Sequence, residues 1–153
     1  MKKIIIALFS VLSLGFFTSC FEDIDKTFDE QTVVEFQDAV IKSPAVGKTY
    51  PVTAIANTGD SLVKTQVNLV GLQRSTSSSI NVTGSNTSGN AAAFEIKALS
   101  FAANSSIANL EVILKKVSAS AGKTDTLLLE LVGNGSDIKP SENYKRVAFS
   151  FKH

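Results

Sequence analysis

Fourteen carboxylates, one cysteine (Cys20) and one histidine (His153) are the side chains of this 153-residue sequence that could move protons, attack a carbonyl or hold a metal. A serine or cysteine nucleophile needs a base beside it, most often imidazole. His153 is the last residue of the sequence, where a chain is ordinarily mobile, so it is expected as an exposed tail residue and not as a base. Two carboxylates can cleave a glycosidic bond if they face each other across a cleft. Glu111 and Glu130 could be neighbours on adjacent strands, although solvent-facing carboxylates are the ordinary case. Calcium wants roughly six to eight oxygens, mostly from acidic side chains close together. Glu111, Asp125, Glu130, Asp137 and Glu142 are scattered, with no D-x-D or D-x-N-x-D run in the domain, since Asp23 and Asp25 fall in the tether before it. A single cysteine excludes an intrachain disulfide and a cysteine-built zinc site. Gly84 to Gly89 lacks the lysine and the helix of a phosphate-binding loop. These residues give no reason to expect an enzyme, a cofactor or a metal.

Charge and aromatic content narrow the partners. Formal net charge is +1, and without Lys2 and Lys3 it is −1 (13 basic against 14 acidic residues). No basic field exists to draw in nucleic acid. Sugar platforms use exposed rings, Trp and Tyr above all. The sequence has no Trp, and its two tyrosines are Tyr50 and Tyr144. The Ser/Thr/Asn-rich stretch from Ser75 to Asn90 reads as a loop that could hydrogen-bond a partner or could simply be solvated.

The elements that would position such residues are strands. Val34 and Phe36 alternate with Glu35 and Gln37. Val63, Thr65, Val67 and Leu69 alternate with Lys64, Gln66 and Asn68. Phe94 and Ile96 alternate with Glu95 and Lys97, and Val147, Phe149 and Phe151 with Ala148, Ser150 and Lys152. Period-2 alternation puts one face on a core and one in water. Turn-forming clusters separate these runs, and the spacing predicts about eight strands. Pro51 marks its strand as an edge. Ser106 to Val117 fits either a strand or a helix capped by Ser105 or Ser106; the strand is adopted because nothing else after the leader reads as helix. Thr126 to Val132, apolar except for Glu130, predicts a central strand covered on much of both faces.

The first residues have a separate logic. Met1-Lys2-Lys3 is basic, Ile4 to Phe17 is almost unbroken apolar chain, and Thr18-Ser19 are small. Those are the three parts of an export signal, and the apolar run is too short for a spanning helix of about 20 residues. Phe17-Thr18-Ser19-Cys20 resembles a lipobox, with Phe17 where the usual pattern has Leu, as in the lax lipoboxes of the Bacteroidota. The resemblance implies cleavage between Ser19 and Cys20 and a lipid, palmitate among its acyl chains, on Cys20. Phe21-Glu22-Asp23-Ile24-Asp25-Lys26 resembles the acidic tag that sends such lipoproteins to the outer face of the outer membrane. Asp60-Ser61-Leu62 and Asp125-Thr126-Leu127 resemble the O-glycosylation site of exported proteins from the same group.

A second resemblance concerns the domain. Leu99-Ser100-Phe101 leads through Asn104-Ser105-Ser106 to Ala108-Asn109-Leu110-Glu111-Val112, and Thr124-Asp125-Thr126-Leu127-Leu128-Leu129-Glu130-Leu131 follows. This order is similar to the second half of a Calx-beta-like or immunoglobulin-like sandwich, over about residues 93–132. Calcium binding, known in some Calx-beta domains, is not carried over, because the acidic residues are not clustered. The expected protein has a signal helix at 1–19, an acidic tether at 20–31 and an all-β, immunoglobulin-like two-sheet sandwich at 32–153. Its expected function is that of a membrane-anchored surface lipoprotein, a non-catalytic accessory that binds a glycan or a protein. The alternative is a structural or adhesin-type component of the cell envelope.

Overall fold

The computed structural model describes residues 31–56, 60–117 and 121–153. The leader, the cleavage site Ser19-Cys20 and nearly all of the acidic tether lie outside the described residues. Among the described residues ten strands form two five-stranded sheets. They are β1 (Thr32–Phe36), β2 (Val52–Ala54), β3 (Ser61–Val70), β4 (Ser78–Asn86), β5 (Phe94–Ile96), β6 (Leu99–Phe101), β7 (Ile107–Leu114), β8 (Thr124–Gly133), β9 (Ile138–Pro140) and β10 (Arg146–Lys152). One sheet has the order β5-β7-β3-β1-β9 and the other β2-β10-β8-β4-β6. The all-β, two-sheet sandwich expected from alternation is the fold observed. The two strands beyond the expected eight reflect how short the outer strands are. Each sheet ends on strands of three residues, and β9 ends in Pro140, so no alternation announces it.

The alternating runs sit in register across the sheets. β3 pairs antiparallel with β7, setting Val63 opposite Val112, Thr65 opposite Leu110 and Val67 opposite Ala108. β8 pairs antiparallel with β10, setting Leu129 opposite Val147 and Leu127 opposite Phe149. The inward residues of all four strands meet in one core with Val34, Phe36, Leu99 and Phe101. Ser106 to Val117 resolves as the strand β7. Pro51 precedes β2, which is an edge strand pairing only with β10.

Three expectations change. β8 is central, but it is buried on one face only: Asp125, Leu127, Leu129 and Leu131 point inward, while Leu128 is half-buried and Val132 is exposed. Its outward leucine and valine made a one-sided strand look two-sided. The polar stretch Ser75 to Asn90 is not a free loop, since Ser78 to Asn86 form β4, bonded to β6 on one side and β8 on the other. Two short helical segments also occur, α1 (Gln37–Ile41) and a 3-10 turn at Ala91–Ala93. Each is too short for a 3.6-residue period to show.

Two glycines are set by close packing. Gly84 lies on β4 where a Cβ would come within 2.7 Å of Ile96 Cδ1 and 2.9 Å of Phe94 Cε2. Gly133 ends β8 with φ +88°, and a Cβ there would collide with the backbone carbonyl of Ile138. That close approach lets Asn134 donate its backbone N–H to Ile138 O at 3.0 Å and closes the turn into β9.

Candidate functional site

The residue types with reactive potential are placed in ways the sequence alone did not suggest. Asp125 begins the inward row of β8, and His153 extends the inward row Val147–Phe149–Phe151 of β10. His153 is therefore not an exposed tail residue. It is 5% exposed, its ring packs edge-on against Phe151 with centroids 5.1 Å apart, and its backbone bonds to Lys123 O and Gly122 N. Its Nδ1 accepts from Val117 N–H at 3.3 Å, which assigns the ring hydrogen to Nε2, 3.5 Å from Asp125 Oδ2.

Asp125 is 1% exposed and accepts five hydrogen bonds. They come from Thr87 Oγ1 (2.6 Å), Ser88 Oγ (2.6 Å), Ser88 N (3.0 Å), Thr126 N (2.8 Å) and Asn86 Nδ2 (2.8 Å). Burial pushes this carboxyl up, but the hydroxyls of Ser88 and Thr87 and the amides of Ser88 and Thr126 outweigh it. The group is held well below the usual carboxylate range. Serine, histidine and aspartate thus come together, yet not as a nucleophilic relay. Ser88 Oγ gives its hydrogen to the carboxylate, and both ring nitrogens of His153 face other groups. The cluster closes the end of the sandwich by tying the turn after β4 to the start of β8. One signal for it existed in the sequence: both residues fall on inward positions of alternating runs.

The other carboxylates separate. Glu111 and Glu130 are not neighbours, because β7 and β8 belong to different sheets. Glu111 pairs with Lys64 at 2.6 Å, and Glu130 with Arg146 at 3.0 Å and Lys145 at 3.3 Å. Asp137 pairs with Arg74 at 2.6 Å. Among the described residues no three His, Cys, Asp or Glu side chains come close enough to share a metal ion.

A second concavity lies elsewhere, on the side of the sandwich between α1, the loop of residues 43–50 and the approach to β10. It encloses about 710 Å³. Its polar lining includes Lys42, Lys48, Thr49, Glu142 and Asn143, and Tyr144, a residue 40% exposed, lines it as well. The walls are fixed from the core outward. Phe36, at the end of β1, donates its N–H to Tyr144 O at 2.9 Å and anchors the approach to β10. Ala39 of α1 is buried, which turns Val40 and Lys42 to the cleft. Lys42 is steadied by Asp38 at 2.9 Å. The loop folds back through Ala45 N to Tyr50 O at 3.0 Å and Lys48 N to Ala45 O at 2.9 Å. Tyr144, one of the two tyrosines singled out in the sequence, is thereby presented to solvent, while Tyr50 is half-buried.

No protein-family model matches the sequence, and no curated protein matches it significantly. Solved structures do resemble the fold. The Calx CBD1 domain in its apo form superposes with a TM-score of 0.54 at 12% identity, covering 80% of this chain and 97% of its own. CBD12 from CALX1.2 gives 0.52 at 14% identity, over 78% of this chain and 43% of its own. A two-domain protein of unknown function from Bacteroides fragilis NCTC 9343 gives 0.54 at 10% identity, over 80% of this chain and 46% of its own. The chain therefore has an immunoglobulin-like sandwich fold similar to that of Calx-beta domains. At such identities the likeness speaks to architecture alone.

Proposed function

We propose that this protein is a lipid-anchored binding module of the bacterial outer membrane, displayed on the cell surface, which holds a glycan in the cleft beside α1. The observation that carries the reading is that Tyr144, 40% exposed, lines a concavity of about 710 Å³ together with Asn143, Thr49, Lys42 and Lys48. A ring offers an apolar face to a sugar, while the surrounding amide, hydroxyl and ammonium groups can satisfy its hydroxyls. Signal and anchor are read from Lys2-Lys3, the apolar run and Cys20; surface display is read from the acidic stretch after it.

The competing reading, a self-assembling envelope component, asks for a strand edge long enough to pair with another copy. Both sheets here end on strands of three residues, which favours the binding module.

The test is a glycan array probed with the chain from Phe21 onward, followed by calorimetric titration of any hit. Tyr144→Ala is expected to weaken binding about tenfold, the equivalent of about 1.4 kcal/mol. Absence of glycan binding at millimolar concentration, or unchanged affinity in Tyr144→Ala, would reject the cleft as a sugar site.

A further inference from the structure

Building on the lipid-anchored reading above, we propose that the end of the sandwich formed by Val70, Leu72 and Ile107 rests directly on the bilayer that holds the lipid of Cys20. The described chain enters at this end. Thr32 begins β1 beside Gly71, and Arg74 donates to Thr32 Oγ1 at 3.1 Å. The stretch from Phe21 to Gln31 spans at most about 40 Å even when fully extended, so the anchor keeps the entry point of the chain within that distance of the membrane and lets this end touch it.

Three large apolar side chains gather where the chain enters. Val70 ends β3, Leu72 follows it, and Ile107 opens β7 on the outward face. Leu72 is 58% and Ile107 56% exposed, and Val70 is exposed beside them. Their proximity is fixed by Leu69 N to Ser106 O at 2.9 Å and by Gln73 Nε2 to Ser106 Oγ at 3.0 Å. Charges of opposite sign flank them: Arg74 is paired with Asp137 at 2.6 Å, Lys139 lies on β9 beyond Val33, the partner of Val70, and Glu35 lies on β1 opposite Asn68, the partner of Ile107. Exposed apolar side chains flanked by charges of both signs suit the boundary between headgroups and acyl chains, and they add to the hold of a lipid already in place.

The sequence contains no tryptophan, so single tryptophans report without background. Lipidated full-length protein would be reconstituted in phosphatidylcholine vesicles containing brominated lipid, as Leu72→Trp and, separately, Leu62→Trp. Leu62 is equally exposed, at 55%, but lies at the far end of β3, about 30 Å away at the usual rise per residue. The expected result is quenching of Leu72→Trp at least threefold greater than that of Leu62→Trp. Equal quenching, or none, in a protein that carries palmitate label overturns the orientation and leaves the anchor standing. A Leu72→Trp emission shielded from aqueous acrylamide yet untouched by brominated lipid assigns the patch to a protein surface and overturns the bilayer. A parent protein that takes up no palmitate removes the anchor, and the orientation falls with it.

Discussion

Asp125 shows how much one buried carboxylate can organise. Five donors from residues 86–88 and 126 converge on it, and His153 closes the remaining side. A carboxyl held below its unfolded value stabilises the fold fully above the unfolded pKa near 3.9, and that contribution fades as pH falls through the lower folded value. The thermal midpoint is therefore expected to fall as the pH is taken below about 4, and Asp125→Asn should remove part of that dependence in scanning calorimetry. At pH 7, Asp125→Ala leaves several donors without an acceptor and is expected to cost about 3 kcal/mol, roughly 10 °C in Tm. An unchanged midpoint would mean that water replaces the carboxylate. The residue was legible in part: it stands in the inward phase of Asp125, Leu127, Leu129 and Leu131. What hid its role is that its donors come from the end of β4, which reads as a polar loop. His153 was hidden by its place at the end of the sequence, although the phase of Phe149 and Phe151 continues into it.

The long strands were the most legible elements, because β3, β7 and β10 each bury one face and repeat that fact along the chain. The short edge strands were the least legible, since three residues cannot establish a period. α1 was missed for the same reason, and with it one wall of the cleft; Tyr144 was visible as a residue type, but its surroundings depend on that wall. Two glycines test how elements are fitted together. At Gly84 an added methyl meets the tips of Ile96 and Phe94, both half-buried and able to shift, so Gly84→Ala is expected to cost about 1–2 kcal/mol. At Gly133 the obstacle is the backbone of Ile138, and the positive φ adds strain. Gly133→Ala should therefore destabilise more than Gly84→Ala by urea denaturation. The reverse order would show that the turn into β9 yields more easily than the packing between the sheets.

At the scale of the whole molecule, the proposed targeting segment and the sandwich were read from different signals. The sandwich was legible because alternation and turn residues agree over most of 32–153. The cleft was not, because it assembles from α1, the 43–50 loop and the approach to β10, whose closeness only folding reveals. The proposed anchor makes its own prediction at this scale. Cys20→Ala should move the protein from the membrane fraction to the soluble exported fraction and abolish palmitate incorporation. A variant still recovered with membranes, beside a parent that never carried the label, would mean that some contact other than acylation holds it there.

β1 is clamped on both sides, antiparallel to β3 and parallel to β9. A pull applied to the chain just before Thr32 runs along this strand, so it loads the hydrogen bonds to both neighbours at once and in shear. They cannot be unzipped one at a time from a free end. If the module is moored through its amino-terminal side while something large tugs at the cleft, the fold meets that tension in the direction where a sheet is mechanically strongest.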